Sequence, residues 1–424
     1  MKSLQQMALL MLVGTASASA SAQELNQADT AWVLTATALV LFMTIPGLSL
    51  FYGGLVRVKN VLSILMQCFA LTCLMSLLWF AVGYTIAFGS DGVEQGAFIG
   101  DFGNVFFAAI TMDSLNGGIP ATLFAIFQMT FAIITPALIV GGFAERMRFS
   151  AMLLFSAIWL IVVYAPVCHW VWGGGWLGSM GLQDFAGGTV VHITAAVAAL
   201  VAAMMMGPRR GFGKVAMPPH NLTMTVTGAG MLWVGWFGFN GGSQLAMGSV
   251  GDVADVSRIF ANTNAAAAGG AVAALILTQL LYSKPDLTMI LNGALAGLVS
   301  ITAEPLTPSL GAATIIGAIG GVIVVFSVPF LDKLKIDDVV GAIPVHLFAG
   351  IWGTIAVVFT NGDASLGTQL YSIIVVGIFV TVASAIVWFI LKATTGIRVA
   401  EEDEINGLDM SELGMDAYPE FSKS

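Results

Sequence analysis

The sequence has very few charged residues for its length. Lysine and arginine contribute 15 residues and aspartate and glutamate 24, so only 9% of the 424 residues are charged, against about 25% in typical soluble domains. Hydrophobic residues make up 58%. This composition excludes a soluble enzyme and a disordered scaffold, and the net charge of −9 argues against nucleic acid as a partner. The chain is therefore predicted to be an integral membrane protein and not an enzyme.

Cysteine is almost as scarce as charge. Cys68, Cys73 and Cys168 lie in apolar stretches, without paired CxxC spacing and without an even count. Such residues behave as small buried hydrophobes rather than as a disulfide framework or a metal site. The sequence therefore predicts neither a metal nor a cofactor.

The two ends of the chain differ from the rest. A basic start, an apolar run and an Ala/Ser tract predict a signal peptide over 1–22, whose cleavage leaves the mature N-terminus outside the cytoplasm. The last stretch, 397–424, is rich in acidic residues and is predicted to be a cytoplasmic tail. Residues 23–396 remain as the transmembrane domain.

Apolar runs divide this domain into helical spans. A span needs about 20 apolar residues and a connection, so the domain has room for eleven. They are predicted near 31–55, 62–88, 119–143, 150–172, 185–206, 222–246, 257–281, 287–302, 309–330, 341–360 and 368–395. The eighth is short and is interpreted as an interrupted span.

The distribution of basic residues predicts the orientation. Short cytoplasmic loops collect Lys and Arg. With the N-terminus outside, every basic residue except Lys2 in the signal peptide and Arg258 falls on the cytoplasmic side. The chain is therefore predicted to have its N-terminus outside and its C-terminus inside.

A short internal repeat pairs two histidines. Asp184 precedes His192 by eight residues, and Asp338 precedes His346 by eight. Each pair opens a predicted span, and the five-span offset makes the two copies run in opposite directions. This predicts an inverted 5+5 repeat with one extra C-terminal helix, with binding at the repeat interface near mid-membrane.

Ionisable residues inside a membrane indicate function, and His192 and His346 are among very few here. One interpretation is two separately satisfied core histidines. The matched sequence contexts favour the other, a facing pair, in which burial favours neutral imidazoles. Such a pair suits ammonia or a proton better than a bare metal cation, which needs a cage of oxygen atoms.

Aromatic residues indicate a second kind of site. Phe127 and Phe131 share a helix face, as do Phe239 and Ser243, and Trp172 closes the fourth span. Aromatic faces with a hydroxyl can bind a small cation, with an attraction of about 0.5–2 kcal/mol per ring. The alternative for any single ring is core packing or the interfacial aromatic belt.

Several segments together resemble the ammonium transporter family, which comprises ammonium and methylammonium permeases related to Rhesus proteins. The resemblance runs from about residue 30 into the tail, and two of its segments are the most specific: DFAGGTVVH and GWFGFNGGS. The others are LFMTIPGLSLFYGGLVRVKN, FAERMRFSA, VWGGGW, PHNLTM, DDVVGAIPVH and the tail sequence GIRVAEEDEINGLDMSELGMDAY.

The resemblance implies a homotrimer of eleven-helix protomers in the bacterial cytoplasmic membrane, each with its own pore. It also implies roles for individual residues: substrate recruitment by Phe127, Trp172 and Ser243; a pore gate of Phe131 and Phe239; pore histidines His192 and His346; and supporting positions at Asp184 and Thr302. A PII-type signalling protein is implied as a regulator at the cytoplasmic face.

One segment departs from the family pattern. Bacterial relatives often have a further acid between the aspartates and the second histidine, where this chain has residues 339–342, Val-Val-Gly-Ala. This departure puts in question whether the tail is coupled to the pore as it is in those relatives.

The resulting hypothesis is recruitment of NH4+ at the outer aromatic site, deprotonation, and passage of NH3 past the histidines. Proton passage by way of the histidines would make the transport electrogenic. Two alternatives are an ammonium sensor that signals through its tail, and a cation-coupled transporter of another small solute.

Overall fold

The computed structural model describes residues 24–90 and 93–420, and the predicted signal peptide lies outside them. The described chain is almost entirely helical. The long helical segments are α1 Gln27–Leu55, α2 Val58–Phe88, α3 Ala121–Gly142, α4 Phe149–Ser179, α5 Gly188–Met206, α6 Leu222–Gly242, α7 Val250–Tyr282, α8 Leu287–Thr302, α9 Leu310–Lys333, α10 Pro344–Phe359 and α11 Leu366–Thr394. Minor elements are a hairpin of strands β1 Leu115–Asn116 and β2 Ile119–Pro120, and α12 Glu401–Asn406 in the tail.

Nine of these segments, within the described part of the chain, are long and apolar enough to cross a membrane. The exceptions are the shorter apolar helices α8 and α10. The protein is thus an all-helical, multi-span membrane protein, while the eleven-span topology and its orientation stay predictions. The predicted interruption of the eighth span was wrong, because α8 is one continuous 16-residue helix.

Polar side chains fix where several helices begin. Asn26 accepts hydrogen bonds from two backbone N–H groups at the start of α1. Ser249 and Asp252 form a capping box at the start of α7, and Asp286 and Ser309 cap α8 and α9. These caps satisfy N–H groups that have no partner inside the helix. The cap at Ser249 also explains why α7 begins earlier than the predicted 257.

Several helical segments contain a π turn, a geometry that often marks functional sites. These turns are Met43–Leu48 in α1, Trp79–Gly83 in α2, Leu160–Tyr164 in α4, Gly188–Ile193 in α5 and Pro344–Phe348 in α10. The last two contain His192 and His346. Each of these two π turns follows an aspartate that caps it, Asp184 or Asp338. The two copies of the sequence repeat therefore have the same local structure. The inverted relation of the two halves stays a prediction.

One end of the bundle carries a cluster of buried charges, here called the basic end and defined by Arg57, Glu145, Arg146, Arg209 and Asp337. Arg209 donates two side-chain hydrogen bonds of 2.8 Å to the Asp337 carboxylate and lies 3.2 Å from Glu145. Glu145 also accepts from the Arg57 side chain. Arg146 is fully buried and donates to four backbone carbonyls. Burial lowers the pKa of Arg146 to about 10.

The tail packs against this same end. Glu404 pairs with Arg398 at 2.8 Å and accepts from the backbone N–H of Arg210. Asp409 accepts from two backbone N–H groups near the start of α2, and Glu412 accepts from the Phe149 N–H at the start of α4. Acidic tail residues therefore act as helix caps for the transmembrane domain.

Candidate functional site

The structure brings His192 and His346 into direct contact in the middle of the bundle. Their Nδ1 atoms are 3.2 Å apart, and the ring centroids are 5.1 Å apart with an interplanar angle of 23°. The side chains are 1% and 5% exposed. Because one Nδ1 must donate to the other, at least one ring has its proton on Nδ1.

Two aspartates hold the histidine-bearing turns. Asp184 accepts hydrogen bonds from the backbone N–H groups of four residues, 187–190, at 2.6–3.0 Å. Asp338 accepts from the N–H groups of Gly341 and Ile343. Burial raises the pKa of both carboxyls, that of Asp338 to about 6, while the N–H donors oppose the rise. Each aspartate therefore fixes the start of a helix and, through it, the position of a histidine.

A narrow cavity, here called the lumen, adjoins the histidine pair. Its volume of about 20 Å³ is enough for one water-sized molecule. Its polar lining groups are the two imidazoles, the Trp236 indole and the Tyr52 hydroxyl, which donates to the Leu138 carbonyl. The complete lining is Met43, Leu48, Phe51, Tyr52, Ile134, Leu138, His192, Leu232, Trp236, Phe239, Leu295 and His346. The lumen is therefore apolar apart from these few groups.

Two phenylalanine rings in contact lie between the lumen and a second cavity. The ring centroids of Phe131 and Phe239 are 4.6 Å apart. Phe239 also stacks against His192 at 5.8 Å, and Phe131 meets Trp172 edge-on at 5.8 Å. Phe239 thus borders the lumen, while Phe131 faces the space on the other side of the pair.

That space, here called the vestibule, is a cavity of about 320 Å³. Its lining is Phe88, Phe124, Gln128, Phe131, Val171, Trp172, Phe185, Ser243 and Leu245. The Trp172 indole N–H donates to the Asp184 carbonyl at 2.7 Å, which fixes the ring. The Ser243 hydroxyl donates to the Phe239 carbonyl at 2.8 Å. Because that bond uses the hydroxyl proton, the oxygen lone pairs of Ser243 remain as acceptors.

Two of the predicted residues lie behind these cavities rather than in their lining. Phe127 is fully buried and packs edge-on against Phe131 at 5.1 Å. Thr302 accepts a 2.9 Å hydrogen bond from the Trp236 indole. Trp236 in turn stacks against His192 at 5.5 Å. Phe127 therefore packs against the Phe131 ring, and Thr302 contacts the lumen lining through Trp236.

Sequence reasoning missed several lining residues. Phe124 and Gln128 line the vestibule from the same helix as Phe131, and the successive spacings from Phe124 to Gln128 and from Gln128 to Phe131 are four and three residues. This spacing places them on one helix face and could have identified them. Phe88 and Phe185 come from distant segments, and no local pattern connects them to the vestibule.

Within the described residues, no group of three or more His, Cys, Asp or Glu side chains could hold a metal ion. Cys68 and Cys168 are buried as predicted, whereas Cys73 is exposed on the surface of the chain.

Comparison with known proteins identifies the family. A sequence profile of the Ammonium Transporter Family matches residues 31–418. The chain is 40% identical to the ammonium transporter of Bacillus subtilis over 410 residues, which cover 93% of this chain and 99% of that protein. It is 39% identical to the ammonium transporter of Aquifex aeolicus over an alignment of 436 positions, which covers 99% of this chain and all of that protein.

Solved structures have the same fold. A structure described as a sensor Amt protein superposes with a TM-score of 0.84 at 31% identity, covering 91% of this chain and 98% of the other. Mep2 of Candida albicans superposes with a TM-score of 0.81 at 31% identity, covering 90% and 88%. The chain therefore belongs to the ammonium transporter family.

Proposed function

We propose that this protein moves ammonium across a membrane by recruiting NH4+ in the vestibule, deprotonating it, and passing NH3 through the lumen. The observation that carries the proposal is an apolar lumen of about 20 Å³ beside a buried histidine pair. Such a space has the size of ammonia and lacks the oxygen cage that a bare metal cation needs.

The vestibule has the groups that a small cation needs on entry. Trp172 and Phe131 offer aromatic faces, and Ser243 offers an oxygen acceptor. Cation–π attraction contributes about 0.5–2 kcal/mol per ring. Among the described residues, the lining includes no carboxylate, so the cation is attracted without being held by a full negative charge.

Deprotonation follows from the contrast between the two cavities. An ion in the apolar lumen would lose its hydration, at a cost of several kcal/mol. Ammonia has no net charge and avoids most of this cost. The rings of Phe131 and Phe239 separate the two cavities, so NH4+ loses a proton at or before this closure. His192 Nε2, on a ring that stacks against Phe239, takes up this proton, and neutral NH3 enters the lumen.

The histidine pair accepts the neutral substrate. His192 Nε2 is buried and has no hydrogen-bond partner among the described residues, so it is available to ammonia in the lumen. The Nδ1–Nδ1 contact links the two rings and provides a route by which a proton passes from one imidazole to the other. Transport is then electrogenic, because the proton crosses together with ammonia.

The same proposal includes the assembly and its setting. It has eleven spans in an inverted repeat, the vestibule outside, and the basic end facing the cytoplasm of a bacterium, because cytoplasmic loops collect Lys and Arg. Three copies form a homotrimer. A PII-type regulator binds at the basic end, where the tail packs against the transmembrane domain.

The test is charge movement in proteoliposomes on a solid-supported membrane after an ammonium jump. The wild type is compared with a His192→Ala/His346→Ala double variant, with internal pH followed in parallel. His220→Ala is the matched control, because His220 lies near the tail and contacts Val56 and Tyr418 instead of the lumen.

The wild type and His220→Ala are expected to give a current that decays faster at higher protein density, and the double variant is expected to lose it. Internal alkalinisation without current would mean passage of neutral ammonia. Absence of both signals would favour the sensor alternative, and ion-coupled currents with another solute would favour the secondary transporter.

A further inference from the structure

His169 is a fully buried histidine whose ring contacts two different segments of the chain. Its Nδ1 atom lies 2.8 Å from the carbonyl oxygen of Ala87, in the last turn of α2. Its Nε2 atom lies 2.6 Å from the carbonyl oxygen of Gly96, in the loop between α2 and α3. The ring, which belongs to α4, therefore connects the end of α2 to the loop that follows it.

Both contacts require the ring nitrogen to be the donor. A carbonyl oxygen only accepts hydrogen bonds, and a neutral imidazole has one N–H group and one bare nitrogen. A neutral ring would therefore place a nitrogen lone pair against a carbonyl oxygen at Ala87 or at Gly96. Only the doubly protonated ring, the imidazolium, donates to both carbonyls at once.

Two helix ends favour a positive charge at this position. His169 lies in the last turn of the helical stretch Ala165–Val171 of α4, and Ala87 lies in the last turn of α2. The C-terminus of a helix carries a partial negative charge, because its last carbonyl groups have no partner inside the helix. Each such end favours a cation by about 0.3–1 kcal/mol. The two ends together offset part of the cost of burying the charge.

The charge is not neutralised by a neighbouring acid. The segments around the ring carry a few titratable side chains: Tyr84 on α2, Glu94 and Asp101 in the following loop, Tyr164 and Cys168 on α4, and Asp184 before α5. Asp101 bonds groups of its own loop, and Asp184 bonds the N–H groups that begin α5. Within residues 24–90 and 93–420, no carboxylate forms an ion pair with His169. The protonation of the ring is therefore coupled to its two carbonyl partners.

The part of the loop over residues 93–100, here called the loop segment, receives three donors from α4. The Trp170 indole N–H donates to the Phe98 carbonyl at 2.9 Å, and the Trp176 backbone N–H donates to the Ala97 carbonyl at 3.1 Å. These two donors keep their protons at any ordinary pH. The third donor is His169, and a neutral ring retains only one of its two bonds, so the connection between α2 and the loop segment is then broken.

We propose that His169 is a pH-sensitive link, which as an imidazolium ties the loop segment to the end of α2 and which opens when the ring loses a proton. Histidine ordinarily changes its charge between about pH 5 and 8, so the loop segment is held at acidic pH and loosens as the pH rises. Phe88, next to Ala87, and Trp172 both line the vestibule. The link therefore lies directly behind the vestibule wall, and it does not depend on which substrate is transported.

The first measurement is the protonation state of the ring, by 15N NMR of the full chain labelled at histidine in lipid bilayers. The chain has four histidines, so the His192→Ala/His346→Ala and His220→Ala variants assign the remaining signal to His169. We expect both ring nitrogens of His169 to be protonated at pH 6, whereas burial without these acceptors favours a neutral ring. A neutral ring at pH 6 would overturn the inference, and this result requires no His169 variant to fold.

The second measurement is hydrogen–deuterium exchange of the loop segment at pH 6 and pH 8, corrected for the intrinsic effect of pH on exchange. The wild type is expected to exchange about tenfold faster at pH 8, since it loses a hydrogen bond from a charged donor. His169→Gln cannot gain a charge, so its corrected rates are expected to be equal at the two pH values.

Trp170→Phe is the matched control, because it removes a donor to the loop segment that does not titrate. It is expected to exchange faster than wild type at both pH values and to keep the tenfold ratio between them. Equal corrected rates in the wild type at pH 6 and pH 8 would contradict the link. The same conclusion would follow from a tenfold ratio that persists in His169→Gln.

Discussion

Trp236 connects Thr302 to the histidine pair through two contacts. Its indole N–H donates to the Thr302 hydroxyl at 2.9 Å, and its ring stacks against His192 at 5.5 Å. The Thr302 hydroxyl in turn donates to the Leu298 carbonyl at 2.7 Å. Thr302 does not line the lumen, but its hydrogen bond to Trp236 fixes the position of a ring that does.

We predict that Thr302→Val destabilises the protein by about 1–3 kcal/mol, because it keeps the shape but leaves the buried Trp236 N–H without an acceptor. The measurement is the unfolding midpoint in detergent, followed by tryptophan fluorescence. Thr302→Ser keeps the hydroxyl and is expected to stay close to wild type. Equal midpoints for the valine and serine variants would contradict this role of the hydrogen bond.

Three helices in the second half of the chain pack with almost no space between their backbones. α7 and α8 contact through Gly270 and Gly293, and α7 and α9 contact through Ala266 and Gly317. A Cβ atom at Gly317 would overlap the backbone carbonyl of Ala266. Small residues at such crossings are how helices gain close van der Waals contact inside a membrane, where the hydrophobic effect between helices is absent.

We predict that Gly317→Ala separates α7 from α9 and lowers the unfolding midpoint, because the clash is with backbone and cannot be relieved by a rotamer change. Gly377→Ala on α11 is the matched control, since a Cβ there meets nothing within 4 Å. It is expected to be neutral or stabilising by about 0.5–1 kcal/mol through helix propensity. A Gly317 variant as stable as the Gly377 variant would contradict the packing argument.

Ion pairs and hydrogen bonds at the basic end connect segments that are far apart in the sequence. Arg209, between α5 and α6, bonds Asp337, which lies between α9 and α10, and also approaches Glu145, after α3. Asp337 is next to Asp338, the residue that fixes the start of the His346 segment. The charge cluster and the histidine pair are therefore linked through adjacent residues.

We predict that Asp337→Asn lowers stability at pH 7 by about 3–5 kcal/mol, because it leaves the buried Arg209 charge poorly compensated. Although burial raises the pKa of Asp337, the hydrogen bonds and charge of Arg209 hold it below its ordinary value. A carboxyl with a lowered pKa in the folded state contributes stability above its unfolded pKa, which is about 3.9. That contribution is lost as the pH falls through the folded-state value.

The difference in unfolding midpoint between wild type and Asp337→Asn is therefore expected to stay constant from pH 7 to about pH 5 and to shrink below about pH 4. Asp363→Asn, at an exposed position outside this cluster, is the control and is expected to match wild type throughout. A difference that grows on acidification would contradict the assigned role of the carboxylate.

Part of the site was predictable from local sequence, and part was not. The matched spacing of Asp184 to His192 and Asp338 to His346 predicted a facing pair, and both segments have an aspartate cap and a π turn. The exposed side chain of Cys73 and the buried position of Phe127 behind Phe131 depend on how α2 and α3 pack, which helical periodicity alone does not define. Gln128 was missed although it shares a face with Phe131.

The sequence by itself determined the membrane class, the helical segments and the family, because apolar composition, segment length and ordered motifs are local properties of the chain. Only the tertiary structure decided which rings border the vestibule and the lumen, that Thr302 bonds the Trp236 indole, and that acidic tail residues cap α2 and α4. These depend on contacts between residues far apart in the chain, whose partners are selected by packing and by the requirement that buried polar groups be satisfied.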